Sequence, residues 1–380
     1  MNLEELRQQM DQADGKLVEA FCDRMEIAGK IAAYKKEHQL QVLDSARERQ
    51  KFKAVAEKAG PEMEDYVTVL YSLLFELSRA YQGHLLDKTT ELTERIRHAI
   101  DTTPQLFPPK AQVACQGVDG AYSQAACERL FRMPSISYFS TFDAVFSAIE
   151  SGFCQYGVIP LENSTAGSVN AVYDLMIRHN FYITRSVRLK VDHNLVAKKG
   201  AKLGDIREIV SHEQAISQCS AFLETLKGVK ITRCANTAAA AKLVAESGRT
   251  DLAALCSRNC LELYDLGCLA ASVQNQNNNY TRFICISRNL EIFPGAGRTS
   301  IMMVIPHRAG SLYRVLARFS ALNINLIKLE SRPIPDRDFE FMFYFDLDTS
   351  VYSPEFIQLM GDLQTLSEEF KYLGSYSEVI

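Results

Sequence analysis

Residues 102–110 read TTPQLFPPK, and prolines at 104, 108 and 109 break every regular period around them. Before this stretch the pattern is helical throughout. After it, short apolar runs alternate with helical ones. The stretch reads as a linker, so the 380 residues fall into unlike parts, two or three domains by length alone.

Upstream, residues 3–38 carry Leu3, Leu6, Met10, Leu17, Ala20, Phe21, Ile27, Ala28 and Ile31 at helical spacing, weakened only by Gly15 and Gly29. A polar break at His38–Gln41 precedes a second helix near Asp44–Ala59, with Asp44 as N-cap and Gly60–Pro61 as stop. A third helix runs from about Glu62 to His84, and its pattern extends toward Ile100. Downstream, Val113–Cys115, Tyr156–Pro160, Leu195–Ala197, Ile209–Ser211, Leu252–Leu255 and Phe283–Ser287 read as buried strands of an α/β region. FPGAGR at 293–298 closes it. The remainder reads strand (Ser300–Ile305), helix (Ser311–Leu322), strands (Asn325–Ser331, Glu340–Leu347) and helix (Pro354–Leu363), with a further strand near the end. That order is a small ferredoxin-like α+β module.

Apolar residues make up 47% and charged residues 23%, with a net charge of −4 and no block of like charge. No nucleic-acid partner is expected. The opening MNLEELRQQMDQADGKL lacks the apolar core of a signal peptide. No window approaches the roughly 18 apolar residues of a membrane helix. Ten cysteines are scattered singly, and Cys256 and Cys260 lack the clustered partners of a zinc site. The expectation is a soluble cytoplasmic protein with reduced thiols and no metal. No G-x-G-x-x-G follows a strand, so no nicotinamide cofactor is expected.

Arg24 and Lys35 lie eleven residues apart, about three turns and roughly 16 Å along one helical face. Arg7 is seventeen residues before Arg24, roughly 25 Å away on a different face. If both serve one ligand, Arg7 comes from a second protomer, which favours a homodimer or higher oligomer of interlocked helices. Asp44, Arg47 and Glu48 share one side of the second helix, and Ser78 and Gln82 one side of the third. Any one of these is more often a solvated charge. Together they suit a dicarboxylate.

Residues 1–90 resemble the all-helical chorismate mutase family, whose ligand-contacting positions match Arg7, Arg24, Lys35, Asp44, Arg47, Glu48, Ser78 and Gln82. The resemblance implies rearrangement of chorismate to prephenate without nucleophile or base. Arg7 and Arg24 would hold the carboxylates in the compact conformer. Lys35 and Gln82 would face the breaking ether oxygen. Glu48 and Asp44 would orient the hydroxyl and the cations.

Three polar clusters mark the α/β region: Pro160–Val169 after a buried strand, the junctions Ser211–Gln214 and Ala235–Ala239, and Asn277–Phe283 entering a strand. Strand-to-helix loops of this kind suit carboxylates, although each alone is more often a plain cap. His212 alone reads as a structural histidine. Glu162–Ser164, Ser211–Gln214 and Thr281–Phe283 resemble motifs of prephenate dehydratase, over about 111–287. The family's Gly-Pro-x-Gly-Thr-Phe-Ser run departs here to Gly117–Ser123, with Val118 for proline and Ala121 for threonine. The resemblance implies two α/β lobes like a periplasmic binding protein, the second near 190–265. It also implies decarboxylation and dehydration of prephenate to phenylpyruvate. Thr281 would donate a proton to the leaving hydroxyl and Arg282 would hold a carboxylate. Asn163, Ser164, Thr165, Ser211, Gln214, Thr237 and Phe283 would position the substrate.

In the last segment Gly310–Leu312, Asn323 and Glu330–Pro333 sit at turns and strand ends, and a glycine there permits close approach to a ligand. They resemble the ACT regulatory domain, with Ser311 for the usual alanine. The resemblance implies feedback inhibition by L-phenylalanine, bound between modules of two subunits through Gly310, Ser311, Leu312, Asn323, Glu330 and Ser331. The expected division is mutase 1–101, linker 102–110, dehydratase 111–287 and ACT 299–376. A mutase joined to a prephenate dehydrogenase, and a non-catalytic aromatic-metabolite sensor, are the competing readings.

Overall fold

Asn2 starts the longest helix. Its side chain accepts the Glu5 N–H at 2.9 Å while the Glu5 carboxylate accepts the Asn2 N–H at 3.0 Å, a reciprocal cap. Helix α1 (Leu3–Glu37) carries Glu4 and Glu5 in its first turn and Lys35 and Lys36 in its last, matching the helix dipole. Asp44 caps α2 (Ser45–Ala59) as expected, accepting the Arg47 N–H at 2.9 Å, and Gly60 ends it at φ 78°. Helices α3 (Glu64–Leu86) and α4 (Glu91–Thr102) follow. The computed structural model describes residues 2–38, 40, 44–86, 90–335, 337–338 and 340–379. Gln41 and the junction through which α3 was expected to continue therefore lie outside the described residues.

The chain packs into two units. One holds Met1–Arg97 with Met302–Lys371, the other His98–Ile301 with Tyr372–Ile380. Chain order does not foreshadow this: the helices share a unit with most of the C-terminal segment.

In the first unit α1 and α3 run in the same direction. Arg24 bonds the Leu74 carbonyl at 3.2 Å, and further along a Cβ at Gly29 would meet Tyr81 and Leu85 at 3.4 Å. Helix α2 runs against α3, with Phe52 edge-on to Phe75 at 5.0 Å. One face of α1 stays uncovered: Leu3, Met10 and Leu17 are 64%, 63% and 57% exposed.

The second unit begins with β1 (Lys110–Gln116), α5 (Tyr122–Leu130), β2 (Met133–Phe139), α6 (Phe142–Glu150) and β3 (Tyr156–Asn163). A short β4 (Gly167–Ser168), α7 (Asn170–Arg178) and β5 (Tyr182–Lys190) complete the first stretch. The second stretch is β6 (Asn194–Lys198), β7 (Glu208–Ser211), α8 (Glu213–Gln218), α9 (Ser220–Glu224), β8 (Lys230–Arg233), α10 (Thr237–Glu246), β9 (Leu252–Cys256), α11 (Asn259–Leu263) and β10 (Leu266–Ala270). The chain then returns as β11 (Tyr280–Ser287). It thus makes two lobes. One sheet orders its strands β5–β11–β3–β1–β2, the other β10–β6–β9–β7–β8. The proline-rich stretch breaks the periods as read, yet Phe107 is tied down against Phe131 and Phe293, each at 4.9 Å, with the Arg185 guanidinium 4.0 Å above its ring.

The last segment runs β12 (Arg298–Val304), α12 (Ser311–Ala321), β13 (Asn325–Pro333), β14 (Phe341–Asp348), α13 (Pro354–Leu366) and β15 (Glu369–Val379), in the βαββα order expected, with the terminal strand. Strands β13 and β14 pair antiparallel from Asn325↔Asp348 to Pro333↔Phe341. Residues Ser377–Val379 of β15 lie in the second unit, parallel to β5.

Candidate active sites

The helical site is built where α1, α2 and α3 meet. Arg24 hydrogen-bonds Ser78 and stands 5.6 Å above the Phe75 ring. Burial pulls its basicity below the ordinary value, against the opposing pull of Tyr71 and the Glu48 carboxylate. Gln82, one turn past Ser78, is 7% exposed and its Oε1 has no hydrogen-bond partner. Glu48 reaches in from α2 and is held by Arg79. Lys35 is half-buried at the far end of α1, while Asp44 and Arg47 are exposed, Asp44 serving as the cap. Arg7 is exposed near Glu4 at 3.7 Å and does not reach this cluster.

The second site is a cleft of about 500 Å³ between the two lobes. The antiparallel register sets Thr281 of β11 opposite Asn163 of β3, and the Asn163 amide donates to the Thr281 hydroxyl at 2.9 Å. Asn163 Oδ1 in turn accepts from Thr165 Oγ1 at 2.7 Å and from the Thr165 and Ala166 N–H groups at 3.1 and 2.9 Å. Gln218 ties this loop to the second lobe. Its amide donates to Thr165 Oγ1 at 3.0 Å, and its carbonyl accepts from Asn279 at 2.9 Å. Nε2 of His193 lies 2.9 Å from that same carbonyl. With two donors on Gln218 Oε1, the His193 proton sits on Nε2. Burial holds this imidazole below its ordinary pKa, with the Gln218 bond opposing.

Of the expected residues, Asn163, Gln214, Thr237, Thr281 and Phe283 line the cleft, as does Ser123. Four stand apart. Arg282 projects from the opposite face of β11, where it meets Glu162 at 3.2 Å, Glu378 at 3.7 Å and Tyr376 at 2.7 Å. Strand alternation forces this once Thr281 faces in. Ser211 is buried and donates to the Leu255 carbonyl at 2.7 Å, joining β7 to β9. Ser164 ties its loop to Asn278 at 2.8 Å, and Thr165 stands behind Asn163. The caps at the two junctions are the side chains of His212 and Asn236. His193, Gln218 and Tyr122 were not anticipated. The Asn277–Asn279 run pointed to irregular backbone here, but single histidines and glutamines carry no pattern.

A family model described as chorismate mutase type II matches residues 6–83, and one described as prephenate dehydratase matches 113–291. A bifunctional chorismate mutase/prephenate dehydratase of Enterobacter agglomerans is 31% identical over 98% of this chain and 95% of its own. The chain belongs to the bifunctional chorismate mutase/prephenate dehydratase family. Like other members of this family it is both an isomerase and a lyase, with the mutase in the helices and the dehydratase in the two lobes. An arogenate dehydratase/prephenate dehydratase of Arabidopsis thaliana is 35% identical over 279 residues, covering 70% of this chain and 73% of its own. The crystal structure of an Arthrobacter aurescens prephenate dehydratase in complex with L-Phe is 25% identical, covers 70% of this chain and 90% of that one, and has a TM-score of 0.65.

Proposed function

We propose how the named residues carry the two reactions, and how the enzyme is controlled. In the helices, Arg24 and a partner's Arg7 grip the two chorismate carboxylates and hold the enolpyruvyl arm over the ring. Lys35 and Gln82 stabilise the negative charge that grows on the ether oxygen. Glu48, with Asp44 and Arg47 at the rim, orients the ring hydroxyl. The uncovered apolar face of α1 and the distance of Arg7 from Arg24 support a homodimer that shares its sites.

In the dehydratase cleft one observation carries the reading. Thr281 accepts from Asn163, so its own hydrogen is free to point into the cleft, and no described residue lining that cleft is Asp, Glu, Lys or Arg. Neutral donors and the N-terminus of α10, beside Asn236 and Thr237, hold the substrate carboxylates. The carboxylate that leaves loses its charge as CO2, which a pocket lined by uncharged groups favours. Its electrons aromatise the ring and expel the ring hydroxyl, which takes the Thr281 proton and departs as water. Thr281 recovers a proton from solvent, so one proton is consumed per turnover. Ser123, Asn163, Gln214 and Thr237 orient the substrate, with Phe283 against its ring.

The C-terminal module is an ACT sensor for L-phenylalanine, the amino acid complexed with the Arthrobacter relative. Gly310 is left-handed at φ 78° with nothing within 4 Å of where a Cβ would stand, and Asn323 is left-handed at φ 53°. Gly310 leaves backbone accessible beside Ser311 and Leu312 at the start of α12, with Asn323 past the far end of that helix and Glu330 and Ser331 on β13 as further contacts. All ten cysteines are unpaired, which supports the cytoplasm.

The test is a single incubation of the purified protein with chorismate, following chorismate loss and phenylpyruvate formation in the ultraviolet, with and without L-phenylalanine. Both steps run, and the effector slows them. In Thr281→Ala prephenate accumulates. Phenylpyruvate formed at an undiminished rate by that variant removes Thr281 from the chemistry, and a calorimetric blank with L-phenylalanine removes the sensor.

A further inference from the structure

Arg79 is not among the positions that carry the mutase resemblance, yet it grips one that is. Its guanidinium, with the side chain 13% exposed, spans two carboxylates: one nitrogen bonds Glu48 across on α2, the other Glu76 one turn back on α3. Glu76 is 1% exposed and its Oε2 has no hydrogen-bond partner. A carboxylate so buried needs a cation beside it, and Arg79 supplies that charge. The network is closed from behind by Arg318 of α12, which donates to the Glu76 carbonyl at 2.9 Å and pairs with Asp362 at 2.7 Å. Three guanidinium groups (Arg24, Arg79, Arg318) thus face three carboxylates (Glu48, Glu76, Asp362).

We propose that Arg79 is a positioning residue of the mutase site, acting through Glu48. A free glutamate side chain turns about three bonds, and freezing it costs conformational entropy. Arg79 meets that cost during folding. Glu76 locks the guanidinium, and the guanidinium locks Glu48 Oε1, leaving Oε2 for the substrate hydroxyl. A planar fork is needed, because an ammonium cannot bridge two carboxylates in fixed directions. The proposal rests on the reading that Glu48 touches chorismate.

The experiment is a double-mutant cycle on mutase kcat/KM in the full-length protein. It is built in the Glu76→Gln background so that no buried carboxylate loses its cation. Glu48→Gln is made first; if it leaves the mutase unchanged, the reading of Glu48 fails, separately from the claim about Arg79. Given a loss there, Arg79→Met is expected to lower kcat/KM about tenfold when Glu48 is present and less than twofold alongside Glu48→Gln. Arg79→Lys should fall between Arg79→Met and the parent, and far-ultraviolet circular dichroism of the full-length protein serves as the folding control. Equal losses from Arg79→Met with and without Glu48 would reduce Arg79 to a packing residue and overturn the proposal. So would a loss under twofold in both.

Discussion

Thr281 is held as an acceptor by Asn163 at 2.9 Å, which orients its hydrogen away from the protein. Thr281→Ala should therefore lower dehydratase kcat by roughly 10²–10⁴, the range for a positioned proton donor, with prephenate still bound by equilibrium dialysis and the mutase rate kept. His193 answers to pH. Burial lowers its pKa in the folded protein, so near and below the ordinary value of 6.5 the unfolded chain binds the extra proton. The stability this neutral imidazole contributes is present above that value and is lost as the pH falls through the folded one. The apparent melting temperature of the dehydratase unit should drop from about pH 7 to about pH 5.5, and drop less in His193→Asn. At this scale the sequence was legible where residues come in motifs: Thr281, Asn163, Gln214 and Phe283 meet in one cleft. It was opaque for His193 and Gln218, single polar residues whose meaning appears only when two lobes bring them together. It misled for Arg282, since adjacent residues of one strand face opposite ways.

At the scale of the element, β11 lines the cleft with Thr281 and Phe283 on one face and carries an ionic cluster on the other. Behind it Glu378 of β15 is 7% exposed among Arg188 at 3.1 Å, Arg298 at 3.0 Å and Arg282 at 3.7 Å. Glu378→Ala should cost about 3–5 kcal/mol by leaving these cations without their shared anion, read as a lower denaturant midpoint of the dehydratase unit. The same strand needs Gly374. At φ 133° a Cβ there would run into the Ile183 carbonyl of β5, so Gly374→Ala should lower the same midpoint. The long helices and the apolar central strands β1, β3, β6, β7, β9 and β11 were readable from period and composition. Strands β2, β5, β8 and β10 were not. Strands β2 and β8 are sheet edges with few buried positions. Strand β5 spends Arg185 and Arg188 on partners elsewhere in the fold, and β10 is half-exposed beside a glycine.

For the whole molecule the decisive question is whether Arg7 serves another chain's site. Arg7→Ala and Arg24→Ala should each abolish most mutase turnover. Mixing the two after reversible dissociation should restore about a quarter of the wild-type rate, because half the dimers are mixed and each has one intact site. No recovery on mixing, with dimers confirmed by sedimentation, would mean that each chain completes its own site. The split of the units also bears on synthesis. The helices of Met1–Arg97 leave the ribosome ahead of the two lobes, but their companion Met302–Lys371 emerges only after the 204 residues between Arg97 and Met302. At about 5–20 residues per second that delay is roughly 10–40 s. These helices are thus finished late, and for that interval they must be kept from sticking to their counterparts on neighbouring nascent chains.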